Sequence, residues 1–306
     1  MPTATMNPVI KVLNAGDTTK SNPFTICIIA NPALEAPWQT GQFIIDPIMS
    51  NQTAFDGCAT YIQNVLFGNL PNQREQFLAD PSIASKIRVV SLFVTGLAAQ
   101  DTNSLVAQDM DSNLLIARRI QFQPFLKRYG LKADVAYAVS ASQTHTRASA
   151  WYTSDDDAQP GVGFTLDGVA LTHRYYCVIP GTVAIHVTAN SMTALHEFGH
   201  ALSSYSNGMV VDLYVDSSAA LNCKVGRPIP TQFANYDGTI LASDALRDTL
   251  GYPPGWSSYH CELNDAAFPA LMDDYWLAPD KIPEHSQHDK ITRQFLTDRV
   301  RAKINR

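Results

Sequence analysis

The sequence predicts an α/β fold, on three observations. Apolar runs of strand length recur at Phe24–Ala30, Ile87–Val94, Asp134–Val139, Val169–Ile179 and Thr182–Val187. The first two are rich in β-branched residues and nearly continuous, as strands covered on both faces are. Segments of helical periodicity lie between the runs, which is the alternation of an α/β layout.

Residues 1–22 read as a loose tail. Phe24–Ala30 (Phe-Thr-Ile-Cys-Ile-Ile-Ala) and Ile87–Val94 read as central strands, with helices over Ala54–Phe67 and Gln73–Leu78 between them. Ser112–Tyr129 sets Leu114, Leu115, Ile120 and Phe125 among arginines, the pattern of a long covering helix kinked at Pro124. Three further strands then lead to a helix around Thr193–Leu202. Beyond residue 205 the pattern gives way to Pro- and Gly-rich loops, such as Arg227-Pro228-Ile229-Pro230 and Gly251-Tyr252-Pro253-Pro254-Gly255. A final amphipathic helix follows, capped by Asp289, with Ile291, Phe295, Val300 and Ile304 near one face. The chain therefore reads as a single domain, 1–306, built of two subdomains around one cleft, 23–205 and a smaller, loop-rich 206–306.

Composition removes several function classes. Of 306 residues 45% are hydrophobic, enough for a sizeable core, and the 22 Lys and Arg against 28 Asp and Glu leave a charge of −6. That sign disfavours nucleic acid as a partner. No run approaches the ~18 apolar residues of a spanning helix. Met1–Asn7 lacks the cationic start and apolar run of a secretory signal, so the cytoplasm is the default expectation, with export left open. Five cysteines at wide spacings contain no CxxC pair, which argues against a zinc knuckle or a dithiol redox site. A Cys223–Cys261 bridge is an option only for an exported protein.

One motif dominates: Thr193-Ala194-Leu195-His196-Glu197-Phe198-Gly199-His200-Ala201-Leu202, which contains His-Glu-x-x-His. On a helix the two histidines stand one turn apart and about 40° around the axis, so both imidazoles reach one ion. Leu195, Phe198 and Leu202 cluster roughly 150° away, giving the helix a core face and a ligand face. With only five glutamates and eight histidines in the chain, chance is a poor source of this spacing. Neutral imidazoles suit Zn²⁺, a third protein group completes the set, and a water in the open position has its pKa lowered towards ~7. Glu197 lies about 100° round from the first histidine, where its carboxylate can reach that water as general base without becoming a ligand. The nearest later carboxylates are Asp212 and Asp216, beyond a turn at Asn207-Gly208 that can fold the chain back on the helix. His260 and Glu262 are the further candidates.

These residues resemble the zincin metallopeptidases, and HEFGH followed by Asp212-Leu213-Tyr214 is similar to the bacterial IgA-peptidase-type group. The strong match covers about a dozen residues. The resemblance implies an α+β zincin-like fold: a mixed central sheet with an edge strand over a cleft, an active-site helix behind it, and a smaller C-terminal subdomain. It implies a zinc-dependent peptidase acting on a peptide or protein substrate, with Asp212 as third ligand. Pro269-Ala270-Leu271-Met272-Asp273-Asp274-Tyr275-Trp276 resembles the methionine turn beneath zinc in several zincins, which would put Met272 under the site and let Tyr275 or Tyr214 donate to the oxyanion. There are departures. The metzincin pattern asks for Gly and a third ligand where this chain has Ser203 and Ser206, and the thermolysin-like pattern asks for a glutamate near Ala220.

The remaining signals carry little. Asp155-Asp156-Asp157 lacks the spacing of a calcium loop, and Gly161-Val162-Gly163-Phe164 lacks the third glycine of a nucleotide loop. Asn51-Gln52-Thr53 has the glycosylation pattern, and there is no Gly-x-Ser-x-Gly elbow. Two function classes remain: a zinc peptidase, and a non-enzymatic zincin-like metal-binding or interaction domain. An intact Glu197 favours the first, because a purely structural site has no use for it.

Overall fold

A computed structural model describes residues 7–153, 163–166, 169–172, 179–189, 192–203, 210, 223–225, 241–242, 258–260, 271–272, 283–288 and 290–305. The strands are β1 (Asn7–Asn14), β2 (Thr25–Ala30), β3 (Ala33–Glu35), β4 (Phe43–Ile45), β5 (Arg88–Thr95), β6 (Ser104–Gln108), β7 (Leu115–Ala117), β8 (Val135–Ser140), β9 (Ser149–Trp151), β10 (Gly163–Leu166), β11 (Val169–Thr172), β12 (Gly181–His186), β13 (Cys223–Val225), β14 (Leu241–Ala242) and β15 (Ser258–His260). The helices are α1 (Gln52–Leu66), α2 (Pro81–Ala84), α3 (Arg119–Arg128), α4 (Thr193–Leu202) and α5 (Lys290–Ile304).

The fold is α/β around a mixed six-stranded sheet of order β1-β5-β2-β8-β12-β9. The inner strands β5, β2, β8 and β12 run parallel, and β1 and β9 pair antiparallel at the two edges. A second mixed sheet has the order β4-β3-β6-β7. Alternation along the inner strands divides the core into two layers. Ile26 and Ile28 of β2, Val135, Tyr137 and Val139 of β8, and Val183 and Ile185 of β12 pack with α1, α4 and α5. Cys27 and Ile29, Ala136 and Ala138, and Ala184 face the other way, onto α3 and the second sheet. Burying each large aliphatic side chain contributes about 1.5–3 kcal/mol. Among the described residues no helix is long and apolar enough to cross a membrane.

Several elements differ from expectation. Residues 7–14, expected in a loose tail, form edge strand β1 on β5. The helix expected over Ser112–Tyr129 is strand β7 followed by the shorter α3, with Pro124 inside it. Leu115–Ala117 are fully buried because they pair with β6, so their apolar run is a strand and not one helical stripe. Gln73–Leu78 is not helical; its backbone is held by side chains, as described below. Of the expected strand Val169–Ile179, Val169–Thr172 is extended and paired with β10, and 173–178 lie outside the described residues. The final helix is present, with Phe295, Val300 and Ile304 buried; Asp289 lies outside the described residues. Most of 206–306 lies outside them too.

Helix α4 sits on the sheet through Ala194, Leu195, Phe198, Ala201 and Leu202, all buried. Buried Tyr137 donates its hydroxyl to the carbonyl of Ala194 at 2.8 Å. At the other end a Cβ on Gly181 would stand 1.9 Å from the Ala201 carbonyl oxygen, so only glycine lets β12 start this close to the helix. Beyond β9, the Thr153 N–H donates to the carbonyls of Ala201 and Ser203 at 3.2 and 3.0 Å, satisfying acceptors that a helix end leaves open.

Candidate metal centre

His196 and His200 stand on α4 with both rings oriented by main-chain carbonyls. Nδ1 of His196 lies 2.7 Å from the Leu271 carbonyl oxygen, and Nδ1 of His200 lies 2.7 Å from that of Val210. A carbonyl only accepts, so each Nδ1 carries the proton and each Nε2 carries a lone pair. The two Nε2 atoms are 3.3 Å apart. Two lone pairs at that distance repel unless a cation lies between them. Two imidazoles bound tetrahedrally at about 2.0–2.1 Å to one zinc ion have nitrogens about 3.3–3.4 Å apart. The pair thus has the spacing, the tautomers and the outer hydrogen bonds that metal-binding histidines take.

Glu197 is buried beside this pair, and its charge, after burial itself, helps hold the Tyr137 hydroxyl well above the usual phenol range. Among the described residues no group of three or more His, Cys, Asp or Glu side chains stands ready to hold a metal ion. Asp212, Asp216 and Glu262 lie outside the described residues, as do Tyr214 and Tyr275, and His260 is described only as backbone in β15. Val210 accepts from His200, so the chain two residues before Asp212 is already at the site. Ser203 is turned away from a ligand's role, donating its hydroxyl to the His200 carbonyl at 2.7 Å.

The residues beneath the helix form a support of which the sequence suggested Met272 but not Glu75 or His288. Met272 is fully buried, and a Cβ on Gly199 would lie 3.2 Å from its sulfur and 3.3 Å from Cε1 of His288. Leu271, which holds His196, donates its N–H to the Gln287 carbonyl at 2.7 Å. His288 next to it is buried, edge-on to Phe77 with centroids 5.7 Å apart. Neither His288 ring nitrogen has a hydrogen-bond partner, and burial holds the ring neutral, well below the usual imidazole range. Glu75 closes the chain of contacts. Its carboxylate accepts the N–H groups of Gln76, Phe77 and His288 at 3.0, 3.1 and 2.8 Å, and Arg293 of α5 lies 3.3 Å away. Burial raises the Glu75 pKa, against the Arg293 charge and those three hydrogen bonds.

No known family model and no curated protein sequence matches the chain.

Proposed function

We propose that this protein is a zinc-dependent peptidase. The observation that carries the reading is the 3.3 Å separation of two Nε2 atoms whose Nδ1 partners are both committed to carbonyls. His196, His200 and Asp212 would hold the ion, Asp212 because Val210 brings its stretch of chain to the helix: two residues span at most about 7 Å. A bound zinc ion supplies a Lewis acid and lowers the pKa of a water in its open position. Glu197 takes the proton from the attacking water and passes it to the leaving amine. Tyr214 or Tyr275 donates to the oxyanion. The resemblance of HEFGH and Asp-x-Tyr to the IgA-peptidase-type zincins supports the same assignment of roles.

The test has two arms. Elemental analysis of purified protein should find about one zinc per chain, lost in His196→Ala, His200→Ala and Asp212→Ala. If Asp216→Ala, His260→Ala or Glu262→Ala strips the metal while Asp212→Ala keeps it, the third ligand is misassigned. Glu197→Gln should retain zinc while peptide hydrolysis falls at least about 10²-fold, read by mass spectrometry on a mixed peptide library. A zinc-loaded wild type that cleaves nothing across diverse libraries would leave a binding domain in place of an enzyme.

A further inference from the structure

At the amino-terminal ends of the parallel strands, away from the histidine pair in sequence, lies a cleft of about 860 Å³. Its walls come from the segment before β2, the start of β5, the turn after α3 and the end of α5. Lys20, Arg88, Lys132 and Lys303 line it with a single carboxylate, Asp134. Four of the chain's 22 basic residues thus meet one of its 28 acidic residues, so the lining carries three positive charges in a molecule of net charge −6. Overall composition conceals this reversal of sign.

The cationic groups are partly fixed in place. Lys303 is 4% exposed, on the last turn of α5, with its ammonium 3.6 Å from Asp134 Oδ1. Lys20 donates to the Ile304 carbonyl at 2.6 Å, and Lys132 reaches Asn22 Oδ1 at 3.5 Å. Asp134 is itself engaged, accepting the Thr25 N–H at 2.9 Å on its other oxygen. A buried ammonium is costly unless negative charge is near. The volume falls in the range of small-molecule sites.

We infer that this cleft binds a small, multiply charged phosphate-bearing anion, of the size and charge of an oligophosphate, through Lys20, Arg88, Lys132 and Lys303. None of the residues that line it belongs to the candidate metal centre, and the inference does not depend on peptidase activity. Calorimetric titration of the full chain with inorganic tripolyphosphate, at about 0.1 M salt so that diffuse attraction is screened, should show one site. Lys132→Glu, an exposed position, and separately Arg88→Ala should each weaken it by about tenfold or more. His196→Ala should bind as well as wild type. Absence of binding, or binding indifferent to both cleft variants, overturns the inference. So does loss of binding in His196→Ala, which would put the anion on the metal centre. Vesicles containing anionic phospholipid provide the last arm: binding to them without binding to free tripolyphosphate would make the patch a membrane contact instead.

Discussion

Position 199 shows how tightly one residue is determined by its neighbours. Glycine is a poor helix interior residue, costing about 0.5–1 kcal/mol relative to alanine. A side chain there would have to displace Met272 and His288, both buried, by a few tenths of an ångström. His288 has little freedom, since its N–H is held by Glu75 and its ring abuts Phe77. Overpacking of this kind costs about 1–3 kcal/mol, so it should outweigh the gain in propensity. Gly199→Ala is therefore expected to lower stability by about 1 kcal/mol in urea denaturation. It should also weaken zinc binding, because Leu271, next to Met272, orients His196. A Gly199→Ala protein more stable than wild type with unchanged zinc affinity would show that the packing under α4 yields freely.

Among the elements, those that periodicity describes were legible and those held by side chains were not. The inner strands β2, β5, β8 and β12 are apolar runs buried on both sides, and α1 and α4 show helical stripes. Strand β7 was absorbed into a helix because Leu114, Leu115, Ile120 and Phe125 mimic that stripe across a strand-to-helix junction. Three-residue strands such as β3 and β9 are too short for any period to appear. His196, Glu197 and His200 could be read from local spacing. The carbonyls of Val210 and Leu271 could not, since distant main-chain atoms leave no mark on residue types. The loop 73–77 is the clearest case: Glu75 looks like a surface residue of a helix, yet it is 1% exposed and serves three backbone N–H groups. In Glu75→Gln the amide NH₂ would face at least one of those donors, which should cost about 1–3 kcal/mol. The pH dependence follows from the raised pKa. Between the ordinary carboxylate range and the higher folded value, the native state holds a proton that the unfolded chain has released, so stability falls as pH rises. Asp46, also raised by burial, acts with the same sign. Buried His288, held neutral, acts with the opposite sign below the ordinary imidazole range, so the Glu75 contribution is read as a difference: metal-free Glu75→Gln should lack a component of wild-type stability that falls as pH rises above the ordinary carboxylate range. Parallel profiles in denaturant titrations would show that Glu75 does not titrate in this window.

For the molecule as a whole, α4 joins parts of the chain that are far apart in sequence. It packs on β8 and β12, meets α1 and α5 in the same core layer, and through its two imidazoles grips residues 210 and 271. Without a cation the Nε2 lone pairs oppose each other at 3.3 Å, so one ring must take up a proton or turn, and a turned ring abandons Leu271 or Val210. Zinc binding should therefore be linked to global stability and not confined to the site. A ligand that binds only the folded state stabilises it by about 4 kcal/mol at a thousandfold excess over Kd. For a chain of this size that corresponds to a rise in Tm of about 5–10 °C. Calorimetric scans should show wild type melting lower after chelator treatment and recovering when zinc is restored, while His196→Ala melts at one temperature under all three conditions. A wild-type Tm that ignores both chelator and zinc would mean that the two histidines do not share an ion, and the peptidase reading would fall with them.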